Sequence, residues 1–115
     1  MSLVSIIIPY YKKKLYIEET VNSAINQTFK DIEIIIVFDD PEGNDLSYIE
    51  KISKKDKRIK LIINDKNLGA GNSRNIGILK SIGQYIAFLD SDDLWSRDKV
   101  ETQLKFMREN NFSFS

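Results

Sequence analysis

Apolar residues follow two rhythms along this chain. Val4 to Ile8, Glu33 to Phe38, Lys60 to Ile63 and Tyr85 to Leu89 are short runs rich in β-branched or aromatic side chains, and they read as strands. Pro9 stops the first, Asp39, Asp40 and Pro41 the second, and Asn64 and Asp65 the third. Between them the period lengthens. Ile17, Val21, Ala24 and Ile25 recur at helical spacing, and Leu46, Ile49 and Ile52 follow every third residue in a shorter helix. A helix from about Gly71 to Ser81 presents Ile76 and Leu79, and a last one opens near Ser96 with Val100, Leu104 and Met107 on one stripe. Strands apolar on both faces, each followed by a helix, predict an α/β fold. It is a three-layer αβα sandwich around a mainly parallel sheet, with right-handed crossovers and strand order 3-2-1-4. Phe112 to Ser115 alternates apolar and polar like the start of a further strand, so residues 1–115 read as a single domain left incomplete at its C-terminus. An unfinished edge there predicts self-association.

Composition narrows the chemistry. With 115 residues and 42% hydrophobic content, the chain suits one domain with a modest core. Seventeen basic and seventeen acidic residues cancel, which removes any global field favouring nucleic acid or an anionic membrane. Cysteine and histidine are both absent. Disulfides, thiolate zinc sites and a cysteine nucleophile are thereby excluded, and acid-base or metal chemistry falls to carboxylates. No apolar run exceeds strand length and no basic region precedes Val4, so neither a signal peptide nor a membrane span is encoded.

In open α/β sheets ligands bind beyond the carboxyl ends of the strands, where the strand order reverses, and the polar residues of this chain collect there. Tyr10 and Tyr11 follow the first strand, Asp39 and Asp40 the second, Asn67 to Arg74 the third, and Asp90, Ser91, Asp92 and Asp93 the fourth. In an extended segment side chains alternate faces, so Asp90 and Asp92 point the same way from the strand's exit, about 7 Å apart along it. A hard divalent ion that completes its shell with phosphate oxygens fits such a pair, and so does simple capping of the next helix. Asp39 and Asp40 suit either a nucleobase or ribose contact or a turn before Pro41. The loop Asn67 to Asn75 runs into a helix, offering backbone N–H groups and Arg74 to a diphosphate. Its Gly69, Gly71, Arg74 spacing is not a dinucleotide fingerprint, because an arginine replaces the third glycine and the loop follows the third strand. Trp95 suits a pocket wall or packing, and Lys12 to Lys14 and Lys54 to Arg58 read as solvated faces.

Four blocks in order carry a family resemblance. They are Val4-Ser5-Ile6-Ile7-Ile8-Pro9-Tyr10-Tyr11, Glu33 to Val37 running into Asp39-Asp40, Asn67-Leu68-Gly69 with Arg74-Asn75-Ile76-Gly77, and Gly83 to Asp93. From Val4 to about Met107 the chain resembles the family 2 glycosyltransferases of GT-A, Rossmann-like fold. The resemblance implies that Pro9 and Tyr11 border a nucleotide pocket, that Asp39 faces the base and that Arg74 lies by the nucleotide-binding loop. It further implies that Asp90 contacts the ribose side and that Asp92 coordinates Mg²⁺ or Mn²⁺ on the diphosphate of a nucleotide-sugar donor, a UDP-sugar before other nucleotides. Such an enzyme transfers the sugar to a glycan or lipid-linked acceptor hydroxyl in polysaccharide or cell-envelope assembly. The implied setting is the cytoplasm, with peripheral membrane attachment through parts outside this chain. The acceptor half and its general base are expected beyond Ser115, so no catalytic residue is assigned here. Two positions depart from the family: Lys12 stands where asparagine is frequent, and Pro41-Glu42-Gly43 replaces the usual Gly-Ser.

Rival readings lack a residue each. A receiver-like module wants a lysine at the end of a fifth strand. A nucleotidyltransferase wants a glycine-rich loop after strand one and an acid-dependent phosphatase an Asp nucleophile there, and Pro9-Tyr10-Tyr11 supplies neither.

Overall fold

The computed structural model describes residues 3–110. The elements run β1 (Val4–Tyr10), α1 (Ile17–Ile25), β2 (Ile32–Phe38), α2 (Leu46–Ser53), β3 (Ile59–Ile63), α3 (Ala70–Lys80), β4 (Tyr85–Phe88) and α4 (Lys99–Asn110). All strand pairs are parallel and the order is β3-β2-β1-β4, as the pattern predicts. Register matches like with like: Ile6 lies opposite Ile34 and Ile8 opposite Ile36. The expected strand at Phe112 to Ser115, and the self-association argued from it, fall outside the described residues.

Each strand face has its own core. Ile6, Ile8 and Tyr10 with Ile34, Ile36 and Phe38 pack against α1, α2 and α4 through Val21, Ile49 and Leu104. On the opposite face Ile7, Ile35 and Val37 meet Ile76 of α3. The split follows from topology. The chain steps from β1 to β2 to β3 in one direction and then returns past β1 to β4, and a crossover of the same hand run backwards puts its helix on the other face. Burying each of these isoleucines contributes about 1.5–3 kcal/mol.

α3 differs from its expected amphipathic form. Leu79 is 82% exposed, while Ser73 and Gly77 are buried. The helix approaches the sheet on a small-residue face: a Cβ at Gly77 would stand 2.5 Å from Ile7 Cγ2. β1 likewise runs past Pro9 to Tyr10. Leu89 N–H donates to Ile7 O at 3.0 Å, so odd-numbered β1 residues direct their backbone groups toward β4. Pro9 lies beyond the last β4 partner, Phe88, and lacks an N–H where the two strands part. Strand β4 ends at Phe88 rather than Leu89, and α4 begins at Lys99 rather than near Ser96. Among the described residues no helix is long and apolar enough to cross a membrane.

Candidate functional site

The sheet reverses between β1 and β4, and a cleft of about 420 Å³ opens above that point. Pro9, Tyr11, Asp39, Arg74, Asp90 and Asp92, drawn from four separate strand ends, all line it. Its floor is the end of β1, where the Tyr10 ring stacks on Phe38 with centroids 5.5 Å apart. Burial and the hydrogen bond that Tyr10 donates to Asp45 Oδ2, at 2.6 Å, raise the phenol pKa and keep it neutral. Lys12, which lines a neighbouring second cleft, adopts φ 52°, a left-handed conformation that asparagine takes up more readily than lysine.

Asp39 is the hub of the β2 end. Only 2% exposed, it accepts Asn64 Nδ2 at 2.8 Å and Leu68 N–H at 2.7 Å on Oδ1, and Asn67 Nδ2 at 3.0 Å and Gly69 N–H at 2.9 Å on Oδ2. A carboxylate offers about four lone-pair directions; the loop 67–69 fills three of them and Asn64 the fourth. Two of the N–H groups expected to meet a diphosphate are therefore committed to Asp39. The N-terminal turn of α3 carries no side-chain cap. Gly69, at φ 89°, makes the turn into that helix in a region open to glycine and strained for other residues.

The acidic segment is a turn, not an extended strand exit. Asp93 N–H closes onto Asp90 O at 3.0 Å, so strand alternation does not apply to Asp90 and Asp92. They still reach the same cleft, and each meets a cation. Arg74 Nη2 lies 3.0 Å from Asp90 Oδ1, and Lys13 Nζ 3.2 Å from Asp92 Oδ2. These side chains are between one-third and two-thirds exposed, so each pair contributes little to stability. Asp93 turns away and accepts Leu94 N–H on its own carboxylate at 2.9 Å. Trp95 is partly buried against the larger core and is absent from the cleft lining.

Sequence reasoning missed two groups. Lys13 looks like part of a solvated face, and only the path from β1 to α1 aims it at Asp92. The other group is a polar seam on α1. Thr20 Oγ1 shares its one O–H between Asp93 O at 2.7 Å and Ser91 O at 3.0 Å, and Ser23 Oγ accepts Trp95 N–H at 3.3 Å. Just past α1, Gln27 donates Nε2 to Ser96 O at 2.7 Å and accepts Val100 N–H on Oε1 at 2.9 Å. The spacing of three residues between Thr20 and Ser23 on one face of α1, continued four residues on at Gln27, was the available signal.

No group of three or more acidic side chains gathers to hold a metal ion among the described residues. Asp90 and Asp92 offer two hard oxygen donors on one wall of an open cleft. That set fits an ion such as Mg²⁺, held by one or two carboxylates and completed by phosphate and water, and does not fit an all-protein cage.

A second cleft, of about 540 Å³, shares Tyr11 and Asn67 with the first and includes Asp40 and the Pro41–Gly43 loop. Asp40 folds over Gly43, where an added Cβ would lie 2.2 Å from its carboxylate oxygen.

The arrangement has clear relatives. An uncharacterized glycosyltransferase of Rickettsia conorii is 52% identical over 97% of this chain, which spans 18% of that protein. WfaP of Escherichia coli, a UDP-Glc:α-D-GlcNAc-diphosphoundecaprenol β-1,3-glucosyltransferase, is 46% identical over 100% of the chain and 45% of its own length. The crystal structure of Staphylococcus aureus TarS 1-349 in complex with UDP superposes with a TM-score of 0.83 at 29% identity, over 96% of this chain and 33% of that one. The chain thus spans less than half of the curated relatives it matches. One family model, glycosyl transferase family 2, matches residues 5–115, nearly the whole chain, and the chain belongs to that family.

Proposed function

We propose that this domain is the nucleotide-sugar-binding part of a cytoplasmic glycosyltransferase that moves a sugar from a nucleoside-diphosphate donor, a UDP-sugar, to a hydroxyl of a glycan or lipid-linked acceptor in cell-envelope assembly. One observation carries the reading: residues from four strand ends converge on a single cleft at the topological switch. The UDP in the TarS complex and the UDP-glucose donor in the name of WfaP support the choice of nucleotide.

In this reading Pro9 and Tyr11 form the apolar wall against the nucleoside. Asp39 acts at one remove, holding the 67–69 loop so that the base meets a fixed backbone edge. The uncapped N-terminus of α3 and the Arg74 guanidinium face the diphosphate, where a helix dipole and a planar donor both favour anionic oxygens. Asp90 lies toward the ribose and Asp92 is the metal ligand. A bound Mg²⁺ or Mn²⁺ ion would lend positive charge to the departing diphosphate. Lys13 releases Asp92 in that state and remains as a second cation beside the phosphates.

Titrating UDP calorimetrically with and without Mn²⁺ tests the proposal. Binding is expected with the ion and strongly reduced without it, and Asp92→Asn is expected to remove most of the metal dependence by deleting a ligand charge. Asp92→Asn binding UDP as tightly as the parent, with the same response to Mn²⁺, would remove the metal role from Asp92. No binding of UDP by the parent would overturn the donor-site reading.

A further inference from the structure

Thr20 sits at 0% exposure on the inward face of α1, beside Ile17, Val21 and Ala24, which are equally buried. A hydroxyl in such a position needs an acceptor, and a helical threonine finds one most simply on the preceding turn of its own helix. Thr20 reaches across instead to two carbonyls of the acidic turn, Ser91 O and Asp93 O. These two residues flank Asp92. The same turn holds Asp90 and Asp92, each paired with a cation at its side chain, while Thr20 fixes the backbone between them. Ser91 is itself buried, so its carbonyl has little access to water once Thr20 is removed.

We propose that Thr20 is a positioning residue: its buried hydroxyl clamps the backbone on both sides of Asp92 and thereby sets how tightly Asp92 holds a divalent cation together with a nucleoside diphosphate. This rests on the donor-site reading above. Ser23 on the same face of α1 and Gln27 just past its end continue the clamp, fixing Trp95, Ser96 and Val100, so that α1 and its C-terminal exit carry the segment from the acids to the start of α4. Residues that orient metal ligands from behind typically change affinity by 10- to 100-fold when altered, and a backbone clamp belongs at the lower end.

The test uses the full chain, UDP and Mn²⁺ as probes, and hydrogen exchange in the ligand-free protein. In Thr20→Val, which keeps shape and loses the hydroxyl, exchange of residues 90–96 is expected to quicken while the central strands keep the parent's protection. Mn²⁺-dependent UDP affinity is expected to fall about tenfold. Thr20→Ser, which restores the donor, is expected to recover both. A purely structural threonine behaves otherwise: the valine variant loses stability, yet its folded molecules bind UDP like the parent, and that result overturns the proposal. So does a serine variant that fails to recover the affinity. If Thr20→Val does not fold, Ser23→Ala at the half-buried next link is expected to quicken exchange at 94–96 and weaken UDP binding less, and no change in either overturns the clamp. Should the parent itself bind no UDP with Mn²⁺, the donor-site reading fails and the ligand half of this inference fails with it, while the exchange rates still decide whether Thr20 holds the turn.

Discussion

Glu33 shows how one charged side chain can be built into a strand. It is 5% exposed on β2 and gathers three partners: the Ser5 hydroxyl, the Ile82 N–H at 2.7 Å and the Lys60 ammonium at 2.7 Å. Ser5 in turn accepts Gly83 N–H at 2.9 Å, so the network joins β1, β2, β3 and the α3–β4 connection. Burial pushes the Glu33 pKa up, but Lys60, Ser5 and Ile82 together outweigh it, and the net shift is downward. The folded state therefore holds the proton less tightly than the unfolded chain. This carboxylate's contribution to stability is full above the unfolded value of 4.5 and is lost as pH falls through the lower folded value. Glu33→Ala is expected to cost about 1–3 kcal/mol at pH 7, because it strands the fully buried Ser5 hydroxyl and removes the acceptor that Ile82 N–H and Lys60 share. Glu33→Gln should lose less and flatten the acid limb of the stability curve. Urea titrations across the acid range check both, and an unchanged acid limb in Glu33→Gln would assign the pH dependence to other groups.

At the scale of elements, α3 is the helix whose packing cannot be inferred from apolar periodicity. Its contact with the sheet runs through Ser73 and Gly77, and Ile7 fills the space where the glycine has no side chain. Gly77→Ala is governed by two opposed effects. Helix propensity favours alanine by about 1 kcal/mol, while forcing a methyl against a fully buried isoleucine costs about 1–3 kcal/mol. The contact at 2.5 Å involves Cγ2, the branch nearest the backbone, which has little room to move. The clash should win, with net destabilisation of about 1–2 kcal/mol measured by chemical unfolding. A stabilised Gly77→Ala would mean that α3 can lift from the sheet without loss. The cleft would feel that movement, since Arg74 stands one turn earlier on the same helix.

For the whole molecule, the site is an assembly of strand ends with no rigid element of its own, so ligand and fold are linked. A nucleotide that bridges the β1, β3 and β4 ends binds only the folded chain and stabilises it by mass action. At ten times its dissociation constant, UDP with Mn²⁺ should add about 1.4 kcal/mol and raise the melting temperature by on the order of 5 °C. UDP alone should do much less. A thermal scan in which UDP acts equally well after chelation would place the stabilisation on Arg74 and the α3 N-terminus, with no share for the acids.

The sequence alone determined the kinds of element and their order along the chain, the parallel sheet and most of the residues that meet in the cleft, Lys13 excepted. Strand runs such as Ile34 to Val37 are apolar on both faces, and in a parallel sheet all carboxyl ends lie on one side, which brings Pro9, Tyr11, Asp39, Arg74, Asp90 and Asp92 to the side where the cleft opens. Tertiary structure alone decided what those residues do to each other. That Asp39 spends its carboxylate on the 67–69 loop, that Lys13 answers Asp92 and that Thr20 grips the acidic turn are contacts between residues at least 28 positions apart. Local periodicity reports which face of an element is buried. It carries no record of the partner across the interface, and hydrogen bonds and ion pairs of this kind are set by that partner's position.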